Sequence, residues 1–410
     1  MAVAKLRAAR VVLAAAATVL LLELAAAIRP PPTVSARYQA SRRAAARRAG
    51  LPVDPRTRRD VVAALRDSGW RAFPVVPAAP LREYGARAGE SLVPVSGPSN
   101  ALMVLCAERG PWVVFRSDSH GFRNPAAAWR SGAVPLVTVG DSYLEGVCVK
   151  DDQTLVAGLR RVVPGAVGLA LSGAGPLVEL AMVREYAAML RPRLVLWFYY
   201  EENDLMNLEG ELRSAVLRRY LEPDWSQHLV ARRDEVDQLV EEAVTAAEDS
   251  VRAAAAGRGS WRRFAMDVAR LAHARRWIGA LRDARRVAPC CDLTTLHQAL
   301  AAADTTVRAW GGRLVFVYVP TLQGFTRPLE RQRPEVAARN DVLAVARASG
   351  IPVIDLKPAL AALGDPRDLY VFEGGHMTPE GYAAAARIVL DSLRGLGFLA
   401  AFATAGAAPR

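Results

Sequence analysis

A serine and a histidine far apart in the chain have the residue types that nucleophilic catalysis requires. Ser142 lies two residues after Gly140, at the end of the apolar run 134–139, and His376 lies in the stretch that begins at Glu373. A histidine can take the proton of an attacking serine hydroxyl, and a carboxylate can orient the imidazole and stabilise its charge. We therefore expect Ser142 to be a nucleophile, His376 its base and Glu373 the supporting acid.

His376 lies just before the last predicted helix. Thr378 is the expected N-cap of that helix, and Pro379 occupies its first position. Because the positive end of a helix disfavours a cation, we expect the imidazole to start as a neutral base.

Acyl transfer also needs hydrogen-bond donors for the negative oxygen of its tetrahedral intermediate. The backbone amides of Ser142 and Gly173 and the side chain of Asn203 are the candidates, since each follows a different predicted strand. Each such donor contributes about 3 kcal/mol to the transition state. Four neighbouring residues are candidates for supporting roles: Asp141, Gly175, Asp204 and Asp368.

Strands and helices alternate from about residue 131, and this pattern positions the candidate residues. Such alternation predicts a parallel sheet with helices on both faces, which binds its ligands at the carboxyl ends of the strands. The predicted strands are 134–139, 166–171, 194–199, 314–319 and 353–356. The gap at 206–312 is too long for an ordinary crossover and is predicted to be a helical insertion. Three interpretations of its basic helices stay open: a cap over the site, a membrane-facing surface, or a helix face exposed to solvent.

The amino-terminal segment has the composition of a membrane-targeting sequence. A basic flank precedes an apolar run to Ile28, so 8–28 is predicted to be a membrane anchor or a signal peptide. Ala25–Ala27 would permit cleavage; we favour the anchor. Six arginines follow the run and argue against export of the remainder by the positive-inside rule: Arg29, Arg37, Arg42, Arg43, Arg47 and Arg48.

The segment 29–130 is predicted to be an extension of the main domain. It contains one capped helix, Thr57 to Ser68, in which Asp60 completes a capping box, followed by irregular β-containing chain. His120 in this extension is predicted to be structural.

Composition and charge exclude several classes of protein. The net charge is +12, carried mostly by arginines that are scattered and accompany no nucleic-acid-binding motif, so we expect no nucleic-acid partner. An anionic membrane or glycan surface would suit this charge equally. The four cysteines lack the spacing of a zinc site or redox pair, and the adjacent Cys290 and Cys291 are poorly placed to bridge each other. They leave the redox compartment open. No metal or cofactor site is expected.

Four short blocks in this order resemble those of the SGNH hydrolase superfamily, also called GDSL esterases. The blocks are Gly140-Asp-Ser142, Gly173, Asn203-Asp204 and Glu373-Gly-Gly-His376. The resemblance covers 131–400 apart from the insertion. It implies a three-layer α/β/α domain whose five-stranded parallel sheet has the flavodoxin-like order, together with the residue roles given above.

Two residues depart from the family pattern. The acid three residues before the histidine is usually aspartate, whereas Glu373 stands here, so Asp365, Asp368 or a backbone carbonyl is the alternative partner of His376. Glu201 replaces a common glycine and would crowd or acidify the pocket.

The resemblance implies an acyl-enzyme at Ser142. Transfer to water makes the protein an O-acyl esterase, and transfer to a sugar hydroxyl makes it an O-acetyltransferase. The anchor and the basic surface resemble members that edit acetyl groups on bacterial envelope polysaccharides. This favours an acylated glycan or other ester substrate, and a catalytic domain outside the cytoplasmic membrane. Protein partners stay open.

Two other functions fit the same residues. One is a membrane-tethered glycan-binding or assembly protein on an inactive scaffold, because fold does not determine function. The other is a lipase or thioesterase with an apolar cleft beneath the insertion.

Overall fold

The computed structural model describes residues 2–28, 34–48, 50–87, 92–129, 134–256, 261–283 and 291–399. The chain forms two compact units. The first comprises 1–41 and 246–288, and the second comprises 42–245 and 289–410. The domain bounds expected from the sequence stay a prediction.

The second unit contains two β-sheets. Its larger sheet has five parallel strands in the order β5-β4-β6-β7-β8, which is the expected flavodoxin-like order. Its smaller sheet has the order β1-β2-β3, in which β1 and β2 are parallel and β3 is antiparallel. The strands are β1 Ala72–Pro74, β2 Leu102–Cys106, β3 Val113–Arg116, β4 Leu136–Gly140, β5 Val167–Ala170, β6 Leu194–Tyr200, β7 Arg313–Val319 and β8 Val353–Asp355.

The five strands of the larger sheet lie where the sequence places them, because they are mainly apolar runs; β4, β5 and β6 are buried along their whole length, whereas only the middle residue of β8 is buried. Val137 and Trp197 belong to the hydrophobic cluster on one face, whereas Leu136 and Phe198 belong to the cluster on the other. In register, Val139 lies opposite Leu169 of β5 and Trp197 of β6. The carboxyl ends of β4, β5 and β6 therefore meet at one edge of the sheet.

Helices occupy most of the remaining described chain. They are α1 Ala2–Ile28, α2 Val34–Arg48, α3 Arg58–Asp67, α4 Ala78–Arg87, α5 Ser142–Glu145, α6 Leu155–Arg160, α7 Pro176–Met182, α8 Ala188–Leu190, α9 Asp204–Glu211, α10 Ala215–Arg218, α11 Arg233–Ala256, α12 Trp261–Ala269, α13 Ala272–Asp283, α14 Leu293–Ala309, α15 Leu322–Thr326, α16 Pro334–Ala337, α17 Arg339–Ala348, α18 Leu356–Ala361 and α19 Pro379–Gly395. Helices α10 to α14 fall in the predicted insertion, which begins within α9.

Local capping signals account for two helices that the sequence predicts. Thr57 and Asp60 form the expected capping box of α3. Thr378 caps α19 by accepting the N–H of Gly381, and Pro379 is the first residue of that helix.

The first unit contains α1, α12 and α13. Glu23 of α1 is fully buried and accepts the backbone N–H groups of His273 and Ala274, at 2.8 and 2.7 Å. The predicted anchor or signal peptide, 8–28, falls on α1. Among the residues that the structure describes, no helix combines the length and apolar character needed to cross a membrane.

Candidate active site

Ser142 opens a short helix directly after β4, which lies between β5 and β6 in the larger sheet. Strand β4 ends at Gly140, where a Cβ atom would lie 3.1 Å from both Phe198 and Leu144, so a larger residue is disfavoured. The Asp141 carboxylate caps α5 by accepting the N–H of Tyr143 at 2.9 Å. This turn leaves Ser142 at the carboxyl edge of the sheet with 9% of its surface exposed.

His376 lies beside Ser142, as the sequence analysis expects. Its Nε2 atom is 3.0 Å from Ser142 Oγ. The hydroxyl of Tyr143 donates to the Gly375 carbonyl at 2.8 Å, and the Tyr143 ring centroid is 5.0 Å from that of the imidazole. Tyr143 thus ties the serine-bearing helix to the histidine-bearing loop.

The acid that contacts His376 is Glu108, and this corrects the expectation for Glu373. One Glu108 oxygen lies 2.9 Å from Nδ1, and the other accepts the backbone N–H of His376 at 3.0 Å. Glu108 is fully buried. It completes a line of carboxylate, imidazole and hydroxyl with the geometry that nucleophilic catalysis uses.

Glu373 is exposed and forms an ion pair with Arg327. The chain turns sharply after it, because Gly374 has φ +78° and the Gly375 N–H donates to the Phe372 carbonyl. The two alternative acids are also exposed. Asp365 pairs with Arg367, and the backbone carbonyl of Asp368 accepts the Thr378 hydroxyl at 3.1 Å.

Several contacts hold Glu108 in place. It lies two residues after β2, where Cys106 forms a disulfide with Cys148 across a Cα separation of 5.4 Å. The Glu108 N–H lies 3.3 Å from Cys148 Sγ. Arg42, which is 6% exposed, donates to the carbonyl of Ala107. The sequence signal for this acid was a glutamate directly after the apolar run 101–107.

Glu108 also determines the proton affinity of the base. Burial lowers the pKa of His376, but the charge and the hydrogen bond of Glu108, together with the charges of Asp141 and Glu145, raise it above its usual value. This corrects the expectation that the adjacent helix N-terminus disfavours the cationic form of His376. A buried carboxylate in direct contact outweighs a helix dipole.

Two backbone amides lie at the carboxyl edge with no acceptor among the described residues, namely those of Ser142 and Gly173. Gly173 follows β5 with φ +71°, a conformation that a side chain would strain. The hydroxyl of its neighbour Ser172 bonds to Glu145 in α5, which links the two segments. Both amides are therefore available to a substrate oxygen.

Asn203 lies at the same edge of the sheet and is hydrogen-bonded to Asp141. Its Nδ2 atom donates to Asp141 Oδ2 at 3.1 Å, which leaves one of its two N–H bonds for a substrate. The Ser142 hydroxyl lies 3.3 Å from that same oxygen, farther than from His376. Burial raises the pKa of Asp141, against the hydrogen bonds that it accepts.

The other candidate supporting residues have structural contacts. The N–H of Gly175 donates to Glu211 at 2.7 Å, so this amide is not free for an oxyanion. Asp204 is fully buried and accepts the Tyr200 N–H at 2.9 Å.

Glu201 also has structural contacts. It accepts the Tyr318 hydroxyl at 2.5 Å and the Thr321 N–H at 2.7 Å. Burial raises its pKa to about 7, although both bonds oppose the rise. In the described part of the chain, no group of three or more histidine, cysteine or acidic residues could hold a metal ion.

Comparison with known proteins adds a family match. Residues 283–407 match the family model described as SGNH hydrolase-like domain, acetyltransferase AlgX. Among curated proteins, none has a significant sequence match to the chain.

Three solved structures illustrate the matches of this chain. TesA is 16% identical over 64% of this chain and 99% of its own, with a TM-score of 0.36. A lipase/acylhydrolase from Enterococcus faecalis is 14% identical over 64% of this chain and 96% of its own, with a TM-score of 0.35. A member of the lipolytic G-D-S-L family from Veillonella parvula is 12% identical over 63% of this chain and 97% of its own, with a TM-score of 0.34. TM-scores this low do not bear on function.

The family match lies over the segment that supplies the base, and the serine, glycine and asparagine blocks come from the strands before it. The fold supports an ester-acting hydrolase or acyltransferase. The family match supports the resemblance to the SGNH hydrolase superfamily that the four sequence blocks indicate.

Proposed function

We propose that the protein transfers acyl groups, most naturally acetyl, to or from the hydroxyls of a cell-envelope polysaccharide through an acyl-enzyme at Ser142. The observation that carries the proposal is the continuous line from Glu108 through His376 to Ser142, with separations of 2.9 and 3.0 Å. These distances allow proton transfer without rearrangement of the three side chains.

In the first half of the reaction, His376 Nε2 takes the hydroxyl proton as Ser142 Oγ attacks the ester carbonyl. The carbonyl oxygen becomes negative and accepts hydrogen bonds from the Ser142 and Gly173 amides and from Asn203. His376 then gives the proton to the departing alcohol, which leaves an acyl group on Ser142. Glu108 stabilises the imidazolium while it exists.

In the second half, His376 takes a proton from water or from a sugar hydroxyl as its oxygen attacks the acyl carbonyl. The bond from the acyl group to Ser142 Oγ then breaks, and His376 returns the proton to Oγ. Water yields a free acid and makes the protein an esterase. A sugar yields an acylated glycan and makes it a transferase. The family description, acetyltransferase AlgX, supports acetyl transfer.

We place the catalytic domain outside the cytoplasmic membrane, held by the amino-terminal segment. The Cys106–Cys148 disulfide supports this location, because disulfides persist in oxidising compartments. Arg42 and Arg48 belong to the arginines that argue for the opposite orientation, and both donate to carbonyls of the folded protein. The contacts of these two arginines within the protein therefore account for their presence without the positive-inside rule.

A pre-steady-state burst assay tests the function. The purified full-length protein in detergent is mixed with p-nitrophenyl acetate, and the intact mass is then measured for wild type and Ser142→Ala. We expect a burst and an acetyl adduct in wild type, and neither in the variant. A folded wild-type protein that forms no adduct with this or another activated acyl donor would instead favour the glycan-binding function.

A further inference from the structure

A cavity of about 570 Å³ lies beside α6, the helix that precedes edge strand β5. It is bounded by the start and end of α6 and by the segment 116–126. The Asn124 side chain connects this segment to β5: its Nδ2 atom donates to the Gly168 carbonyl, and its Oδ1 atom accepts the Gly168 N–H. The lining contains neither Ser142 nor His376, so the cavity is separate from the candidate active site. Its charged lining residues are Arg116, Arg123, Asp151, Asp152, Arg160 and Arg161.

Positive charge in the cavity exceeds negative charge. Four arginines face two aspartates, and one aspartate, Asp151, is already paired with Arg123 at 2.7 Å. Arg161 donates to the backbone carbonyl of Asp152 and not to its carboxylate. Within the described residues, no acid forms an ion pair with Arg116, Arg160 or Arg161.

Arg160 is the most confined of these cations. It is half-buried, and its partners are neutral: the Ala166 carbonyl at 2.8 Å and the Asn124 side-chain oxygen. Burial lowers its pKa to about 10, although the charges of Asp118 and Asp151 oppose this shift. A guanidinium that is desolvated in this way gains from an anion that enters the cavity.

We propose that this cavity is a binding site for an organic anion, held through a phosphate or carboxylate group by Arg160 and Arg161. The planar guanidinium fork matches both groups, whose oxygens accept two parallel hydrogen bonds. The volume falls within the usual range for small-molecule sites, which exceeds the need of a lone ion. The proposal does not depend on the acyl-transfer function.

Arg123 has a second role that decides which variants are useful. It donates to the backbone carbonyls of Glu145, Gly146 and Val149, and therefore holds the chain just after Ser142. Replacing Arg123 would disturb the candidate active site as well as the cavity. The variants that test the cavity leave this arginine in place.

Isothermal titration of the full-length protein at low ionic strength tests the site with three probes: inorganic phosphate, glucose 6-phosphate and glucuronate. We expect one equivalent of at least one organic probe to bind, and we expect Arg160→Gln to weaken this binding at least about tenfold. The preference between glucose 6-phosphate and glucuronate distinguishes a phosphate-bearing from a carboxylate-bearing ligand. The control is Arg347→Gln, an exposed arginine on α17, which should bind like wild type.

If Arg160→Gln does not fold, the double variant Arg116→Gln/Arg161→Gln replaces it, because both side chains are exposed. Two results would overturn the proposal. One is no saturable binding of any probe by wild type at millimolar concentration. The other is an equal loss of binding in Arg347→Gln, which would reveal attraction by net charge alone.

Discussion

The Glu108 carboxylate contacts His376 through both of its oxygens: one lies 2.9 Å from the ring atom Nδ1, and the other lies 3.0 Å from the backbone nitrogen. This double contact fixes both the tautomer and the position of the imidazole. Nδ1 carries the proton that the carboxylate accepts, so Nε2 is left to take the proton of Ser142.

The acid therefore comes from a segment outside the five-stranded sheet. Glu108 follows β2 of the smaller sheet, whereas serine and histidine follow strands of the larger one. The amino-terminal extension is thus part of the candidate catalytic apparatus. Glu373 occupies the position at which the family has its acid, but it forms an ion pair with Arg327 and not with His376.

The pH dependence of acylation should report the contact between Glu108 and His376. The rate rises with pH as His376 loses its proton, and Glu108 raises the pKa at which this occurs. In Glu108→Gln the negative charge is lost while burial remains, so the midpoint of the rise should move to lower pH. Single-turnover rates measured across the pH range check this. An unmoved midpoint would mean that Glu108 does not act on the imidazole.

The Cys106–Cys148 disulfide should support activity as well as stability. It closes a loop with a sequence separation of 42, and its loss should cost about 4 kcal/mol of unfolding free energy. Because Cys148 also contacts the Glu108 N–H, the variant Cys106→Ser/Cys148→Ser should acylate more slowly, by up to roughly 100-fold. Denaturant unfolding and burst rates below the melting temperature measure the two effects. Unchanged burst rates in a destabilised variant would restrict the disulfide to folding.

Asn203 should contribute to transition-state stabilisation. Removing one oxyanion donor lowers kcat by roughly 100- to 1,000-fold, and we expect a loss in this range for Asn203→Ala. The control is Asn340→Ala, an exposed asparagine on α17. A loss that appears in KM alone would show that Asn203 binds the ground state equally well and is no oxyanion donor.

Buried Glu201 should make the protein less stable as the pH rises. Its pKa is raised by burial from 4.5 to about 7, so the folded state retains a proton that the unfolded state has lost. The resulting stabilisation is complete below pH 4.5 and disappears as the pH rises through about 7, a change on the order of 3 kcal/mol.

Glu201→Gln should flatten this dependence in part, since Glu211, also raised to about 7 by burial, keeps a slope of the same sign. Urea unfolding at about pH 5 and about pH 8 measures the difference. Glu330→Gln, at an exposed site, is the control. Equal slopes in wild type and Glu201→Gln would show that Glu201 is ionised in the folded protein.

Local patterns made the larger sheet and part of the site predictable. The buried strands β4, β5 and β6 are mainly apolar runs, and Ser142, Gly173 and Asn203 each lie within three residues of the end of one of them. Thr378 as a capping residue and Pro379 at the first helical position predicted where the helix beside His376 begins. These features depend on neighbours in sequence, which one chain displays without a structure.

Glu108 was not predictable in this way because its partner is far away in sequence. Nothing in the spacing of Cys106 and Cys148 indicates a disulfide, and their pairing joins the end of β2 to the chain just after the serine-bearing helix. Glu373 was the nearest acid to His376 in sequence, but Gly374 turns the chain between them. Contacts between distant segments require the packing of the two sheets.

The most direct test of the account compares acylation by wild type, Glu108→Gln and Glu373→Gln, with p-nitrophenyl acetate as the acyl donor. Both variants remove one carboxylate charge and keep the shape of the side chain. We expect Glu108→Gln to lose roughly 100- to 10,000-fold in burst rate, and Glu373→Gln to remain close to wild type. The reverse ranking would contradict the account and return the supporting role to Glu373.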